Sequence, residues 1–197
     1  MRNSNVKLAV LWGVWMILAA AAWGQSSQAS EPGIHSFDVA LTFNASLNNN
    51  VPGDTFWMQG ASAQVCGQFW RGLGVVADVG GLHTANGNGS GVGLDLVTVA
   101  FGPRYTWRPP HQRSTVFGQI LAGETLGANS VFPSAAGISS GSNSLALIVG
   151  GGINIPVSRR LAVRALEADW LRTQLPNATT GVQNNLRLGA GVIFRFK

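Results

Sequence analysis

The sequence predicts an all-β chain of eight antiparallel strands, joined up-and-down and closed into a transmembrane β-barrel. Three observations predict it. After residue 34, apolar residues recur at every second position, which is the strand period and not the helical one. The alternating segments run about 10 to 14 residues, enough for a tilted membrane-crossing strand and well beyond the soluble average. Charged residues are only 11% of the chain and glycine is abundant, with 26 residues, whereas soluble proteins carry about 25% charge.

Each segment supports the prediction in turn. "HSFDVALTFNAS" puts Phe37, Val39, Leu41 and Phe43 on one face. "FWMQGASAQVCGQF" aligns Trp57, Ala61, Ala63, Val65 and Phe69, and "LGVVADVGGLH" aligns Leu73, Val75, Ala77 and Val79. "LDLVTVAFGPRYTW" groups Val97, Val99, Phe101 and Tyr105. The fifth, "VFGQILAGET", has apolar residues on both faces. The sixth, "LALIVGGGINI", groups Leu145, Leu147, Val149, Ile153 and Ile155. "LAVRALEADWLRT" is the seventh. The eighth, "LRLGAGVIFRFK", aligns Leu186, Leu188, Ala190, Val192, Phe194 and Phe196, with Arg187 and Arg195 on the opposite face. A membrane barrel turns such an apolar row to lipid and the polar row inward.

The connections alternate in character. Four are long and rich in Asn, Gly and Ser, including residues 126–144; three are short and carry Arg71, Arg108, Arg113, Arg159 and Arg160. Outer-membrane barrels have long extracellular loops and short periplasmic turns. The long loops lack charge and apolar anchors and are expected to be mobile. Trp57, Phe69, Trp70, Tyr105, Trp107 and Trp170 lie near segment ends, as interfacial girdles do.

The N-terminus carries Arg2 and Lys7, an apolar run from Leu8 to Trp23, then small polar residues. That order is a secretory signal peptide, with cleavage after Gly24 or Ala29. Residues 1–29 are therefore read as the signal peptide and residues 30–197 as the barrel domain. Cys66 is the sole cysteine, so no intrachain disulfide forms. The net charge of +5 comes from scattered arginines with no basic cluster, which excludes a nucleic-acid footprint. No metal-ligand or cofactor motif is present.

The closing residues carry a resemblance. "RALEADW", a loop, and "NNLRLGAGVIFRF" resemble the last hairpin of the OmpA-like family of eight-stranded outer-membrane barrels. The resemblance implies an integral protein of the cell outer membrane of a Gram-negative bacterium. It implies that Val192, Phe194 and Phe196 form a C-terminal assembly signal for the barrel assembly machinery. Lys197 after Phe196 departs from the family's aromatic ending.

Parity assigns a charge network to the lumen: Asp38, Asp78, Arg104, Arg187 and Arg195 directly, and Glu124 provisionally. In the seventh segment, Arg164 has one parity and Glu167 and Asp169 the other. An extra residue at Ala165–Leu166, a β-bulge, brings all three inward. Asp169 is then expected beside Arg187. An eight-stranded lumen is narrow enough to be filled by side chains, so this network is either a gate for small solutes or a static polar core.

The function expected is non-enzymatic: a structural, surface-interaction or narrow gated-pore role, as a monomer in outer-membrane lipid, with an extracellular ligand at the loops. Two rivals stand beside it. One is a soluble periplasmic barrel binding an apolar ligand, which needs the apolar faces turned inward. The other is a lipid-modifying outer-membrane enzyme, for which His83, Ser90 and Asp95 are the only Ser/His/Asp grouping.

Overall fold

In the first strand, β1 (Ser36–Asn48), side chains alternate between burial and exposure. Leu41 and Phe43 are 50% and 61% exposed, while Thr42 and Asn44, which alternate with them, are 2% and 1% exposed. The apolar residues are outside and the polar ones inside, which is the inverse of a soluble fold and the arrangement a bilayer stabilises. The same alternation runs through β2 (Phe56–Trp70), β3 (Leu73–Thr84), β4 (Leu94–Trp107), β5 (Thr115–Ser134), β6 (Gly137–Pro156), β7 (Leu161–Thr173) and β8 (Gln183–Phe196). The computed structural model describes residues 36–49, 55–86, 93–134, 137–177 and 181–196. The segment expected to be a signal peptide, with its expected cleavage sites, lies outside them, together with His35, Ser90 and Lys197.

Each strand pairs antiparallel with its sequence neighbour, and β1 pairs with β8 to close the barrel. Closure leaves no sheet edge in the membrane, where an unpaired backbone group has no water to bond. Between Arg164 and Glu167, β7 has one residue more than β8, because these two pair with Gly191 and Gly189. This is the bulge at Ala165–Leu166 that the charges required. Arg164, Glu167 and Asp169 are all buried, and Trp170 faces outward.

Two expectations are corrected. Glu124 is on the outer face, exposed beside Ile120, Ala122 and Leu126, and accepts a hydrogen bond from Asn143 Nδ2 at 2.5 Å. The fifth segment misled because Leu121 inside and Ile120 outside are equally apolar, so hydropathy could not mark a face. The second correction concerns residues 126–144, expected as a loop. Most of this segment continues the β5–β6 ladder as a ribbon that outruns β4 and β7. It also has an apolar anchor. The ladder breaks between Ala128 and Phe132, Asn129 adopts a left-handed φ of 57°, and Phe132 turns back to burial. Its ring occupies the space a Cβ at Gly127 would need, 2.6 Å away.

Candidate functional site

The charged lumen is built by inward positions on seven of the strands, and two glutamines organise it. Gln64 on β2 donates from Nε2 to Asp78 at 2.7 Å and to Glu167 at 2.9 Å. Its Oε1 accepts from Arg104 at 2.5 Å and from Arg164 at 2.6 Å. Gln119 on β5 repeats the pattern, donating to Glu167 at 3.0 Å and Asp169 at 3.1 Å. Its Oε1 accepts from Arg104 Nε at 3.1 Å and also from Arg104 Nη2. Each amide has two N–H groups and two acceptor lone pairs, and here all are used. The N–H ends face carboxylates and the oxygens face guanidiniums, so both amides have one stable orientation.

Ion pairs complete the network. Arg187 meets Asp169 through Nη2 at 2.8 Å and Nε at 3.1 Å, with Asp78 at 3.4 Å. Asp169 and Arg187 are direct cross-strand partners. Arg164 Nη1 lies 2.9 Å from Glu167, and Arg164 Nε donates to Asn154 at 3.2 Å. Arg104 has no carboxylate within 4.0 Å among the described residues; its guanidinium lies over the Phe117 ring at 4.3 Å, as does that of Arg164 at 4.7 Å. An aromatic face attracts a desolvated cation. Phe117 fits because Gly152 opposite it has no side chain; a Cβ there would come within 2.9 Å of the ring. Nothing in the sequence singled out Gln64, Gln119 or Phe117. The available signal was an inward-parity amide within an otherwise apolar strand.

The remaining charges divide from this cluster. Asp38 and Arg195 are cross-strand partners facing inward at the short-turn end, but no ion pair joins them within 4.0 Å. Glu124 is outside. Val192, Phe194 and Phe196 all face outward on β8, and Phe196 stacks on Phe37 at 4.6 Å.

Apolar side chains fill much of the rest of the lumen. Cys66, Val76, Ala100, Leu121, Ala146, Ile148 and Leu171 are buried around the network. At the long-loop end, Phe56, Met58, Leu82, Leu94, Leu96, Phe132 and Leu175 form a second buried cluster. His83 and Asp95 take no part. They face outward at the rim, with Nδ1 and Oδ1 2.5 Å apart, and Asn129 Nδ2 donates to the other Asp95 oxygen.

No protein-family model matches the chain, and no curated protein matches it. Solved structures do. The fold is similar to the crystal structure of Neisserial surface protein A, with TM-score 0.62 at 13% identity, over 81% of this chain and 97% of that one. The fold is that of an eight-stranded outer-membrane barrel. The outer-membrane barrel fold is matched again by Ail, the attachment invasion locus protein of Yersinia pestis, with TM-score 0.54 at 14% identity over 82% and 98% of the two chains. The outer membrane protein OprG from Pseudomonas aeruginosa gives TM-score 0.51 at 8% identity over 82% and 95%. At these identities the shared property is the fold. With the apolar exterior, that fold makes the protein an integral outer-membrane barrel and excludes the soluble rival, whose apolar faces would point inward.

Proposed function

We propose that this outer-membrane barrel works as a closed scaffold that presents its long loops and the β5–β6 ribbon at the cell surface. The observation that carries the reading is the filled lumen. Ion pairs and fully bonded amides occupy its middle, and the apolar cluster around Met58 and Leu96 occupies the long-loop end. A solute would have to separate buried charges from their partners, at about 3–5 kcal/mol for each pair broken. The static polar core is therefore preferred over the gate.

The short Arg-bearing turns are assigned to the periplasm and the long loops to the exterior. The partners are outer-membrane lipid around the strands, the barrel assembly machinery reading Val192, Phe194 and Phe196, and an extracellular ligand at the ribbon and loops. We propose a monomer with no enzymatic role. His83 and Asp95 face outward at the rim, apart from the buried lumen. The test is planar-bilayer recording of the purified barrel. The expected result is no stepwise conductance above the lipid baseline. Regular steps that change size when Arg187 or Glu167 is neutralised would establish the gate instead.

A further inference from the structure

The short-turn end of the barrel carries one sign of charge. Its three turns hold Arg71, Arg108, Arg113, Arg159 and Arg160 and no acidic residue. All five arginines are exposed, and none has a carboxylate oxygen within 4.0 Å among the described residues. Arg108 lines the mouth of the lumen with Asp38, which leaves Arg71, Arg113, Arg159 and Arg160 for the rim. The outward face at the long-loop end is mixed by comparison, with Arg172 and His83 set against Asp95 and Glu124.

An aromatic belt borders these turns. Phe37, Trp70, Tyr105, Trp107, Phe194 and Phe196 all face outward at the short-turn ends of β1, β2, β4 and β8. Such rings settle where hydrocarbon gives way to headgroups, and the headgroup layer beyond is about 5–8 Å deep. An arginine one or two residues further along the chain therefore ends among the headgroups. Trp70 is the last residue of β2, and the Arg71 guanidinium lies 5.9 Å from its ring. The Arg160 carbonyl accepts from Arg195 N at 2.9 Å, which sets the β6–β7 turn beside Phe194 and Phe196. The backbone of Arg71 adds a second observation. Its φ is 35° and that of Gly72 is 91°, so both central residues of the turn are left-handed. Asparagine or glycine suits the first of these positions. The turn thus carries a guanidinium where the backbone favours an uncharged side chain, and strain of this kind points to function.

We propose that Arg71, Arg113, Arg159 and Arg160 form a collar that binds the phosphates of anionic phospholipids around the short-turn rim. The fork of a guanidinium matches two phosphate oxygens. A zwitterionic headgroup presents the same phosphate but adds an ammonium that the arginines repel, so a net negative headgroup is selected. The neighbouring rings set the arginines at the depth of lipid phosphates, which favours a lipid over a soluble polyanion. The inference refines the lipid partner proposed above. That the leaflet is the periplasmic one rests on the proposed orientation, which the collar itself does not need.

The test is electron spin resonance of trace spin-labelled phosphatidylglycerol or phosphatidylcholine, with the full barrel folded in phosphatidylcholine vesicles. The motionally restricted fraction of each label gives its relative association with the protein. A preference for phosphatidylglycerol of about threefold is expected. One basic residue beside an anionic surface is worth about fivefold, and the lipid shell also includes the long-loop end, which dilutes it. The preference should fall towards one in about 1 M salt, where the screening length is about 3 Å. Arg71→Asn combined with Arg159→Gln and Arg160→Gln should remove most of it, and Arg172→Gln should leave it unchanged. Arg71→Asn suits the left-handed backbone, so this single variant folds even if the triple variant does not, and it should lower the preference by itself. Phosphate ions in place of chloride at equal ionic strength should not displace the labelled lipid. Equal association of the two lipids with the unaltered barrel overturns the proposal and leaves the arginines to a soluble partner. A preference undiminished in folded Arg71→Asn, lost in Arg172→Gln, or abolished by phosphate ions overturns it as well. A reversed orientation of the barrel would change which leaflet the collar meets and would leave this readout as it is.

Discussion

Asp169 illustrates how little freedom a side chain has once it is enclosed by the barrel. It is fully buried, it takes two hydrogen bonds from Arg187, and it accepts a third from Gln119. Asp169→Ala leaves the Arg187 cation without its nearest counter-charge, and destabilisation of about 3–5 kcal/mol is expected. Arg187→Met in the same chain removes the cation that has lost its nearest counter-charge and leaves Asp78 with Gln64 alone, so the loss in the double variant should be less than the sum of the two single losses. Urea unfolding of the four members of that cycle in lipid vesicles measures it. Additive losses would mean that the pair is not coupled. The same logic applies to Gln64. Changing it to Leu would take one hydrogen bond from each of four charged partners at once, although a sequence comparison would score it as the loss of one neutral amide.

Among the elements, the β5–β6 ribbon departs most from what its composition suggests. Gly, Ser and Asn dominate residues 137–144, which ordinarily marks a loop. The ladder nevertheless continues because β5 and β6 are already in register below, so each added pair extends an existing template. Phe132 then fastens the ribbon to the apolar cluster at the long-loop end. Phe132→Ala should cost about 3–5 kcal/mol locally. Amide hydrogen exchange should accelerate across residues 126–145 while β1 stays protected. Equal protection in both proteins would show that the ladder alone holds the ribbon.

For the whole molecule, the asymmetry between its two ends is the basis of the proposed orientation in the membrane, long loops outside and Arg-bearing turns in the periplasm. With Cys66→Ser as background, Ser140→Cys places a thiol on the ribbon and Arg113→Cys places one on the β4–β5 turn. A membrane-impermeant maleimide on intact cells should label the ribbon thiol only, and should reach the turn thiol after the outer membrane is opened. The reverse pattern would invert the topology. A lumen packed by Leu121, Ile148 and Leu171 as well as by charges is what supports the proposed closed scaffold over an aqueous channel. In eight strands there is room for side chains and little else.

By itself the sequence determined the strand count, the outward rows, the inward charges of five strands and the bulge in β7. Each follows from the two-residue period combined with the cost of placing charge in lipid, and both are local properties of a strand. The Asp169–Arg187 pairing was also legible, because antiparallel pairing of two consecutive strands around their connection brings position 169 opposite about 187. Tertiary structure alone decided the rest. Glu124 has its face because β5 is apolar on both sides and only pairing with β4 and β6 orients it. Gln64 and Gln119 became the centre of the network because closure brings β2, β4, β5 and β7 around one axis, and their neighbours come from strands as many as 103 residues away. Phe132 joined the core through a local break in the ladder. Asp38 and Arg195 likewise become cross-strand neighbours only after β1 and β8 meet, since local patterning specifies the face of each charge and not its distance from another.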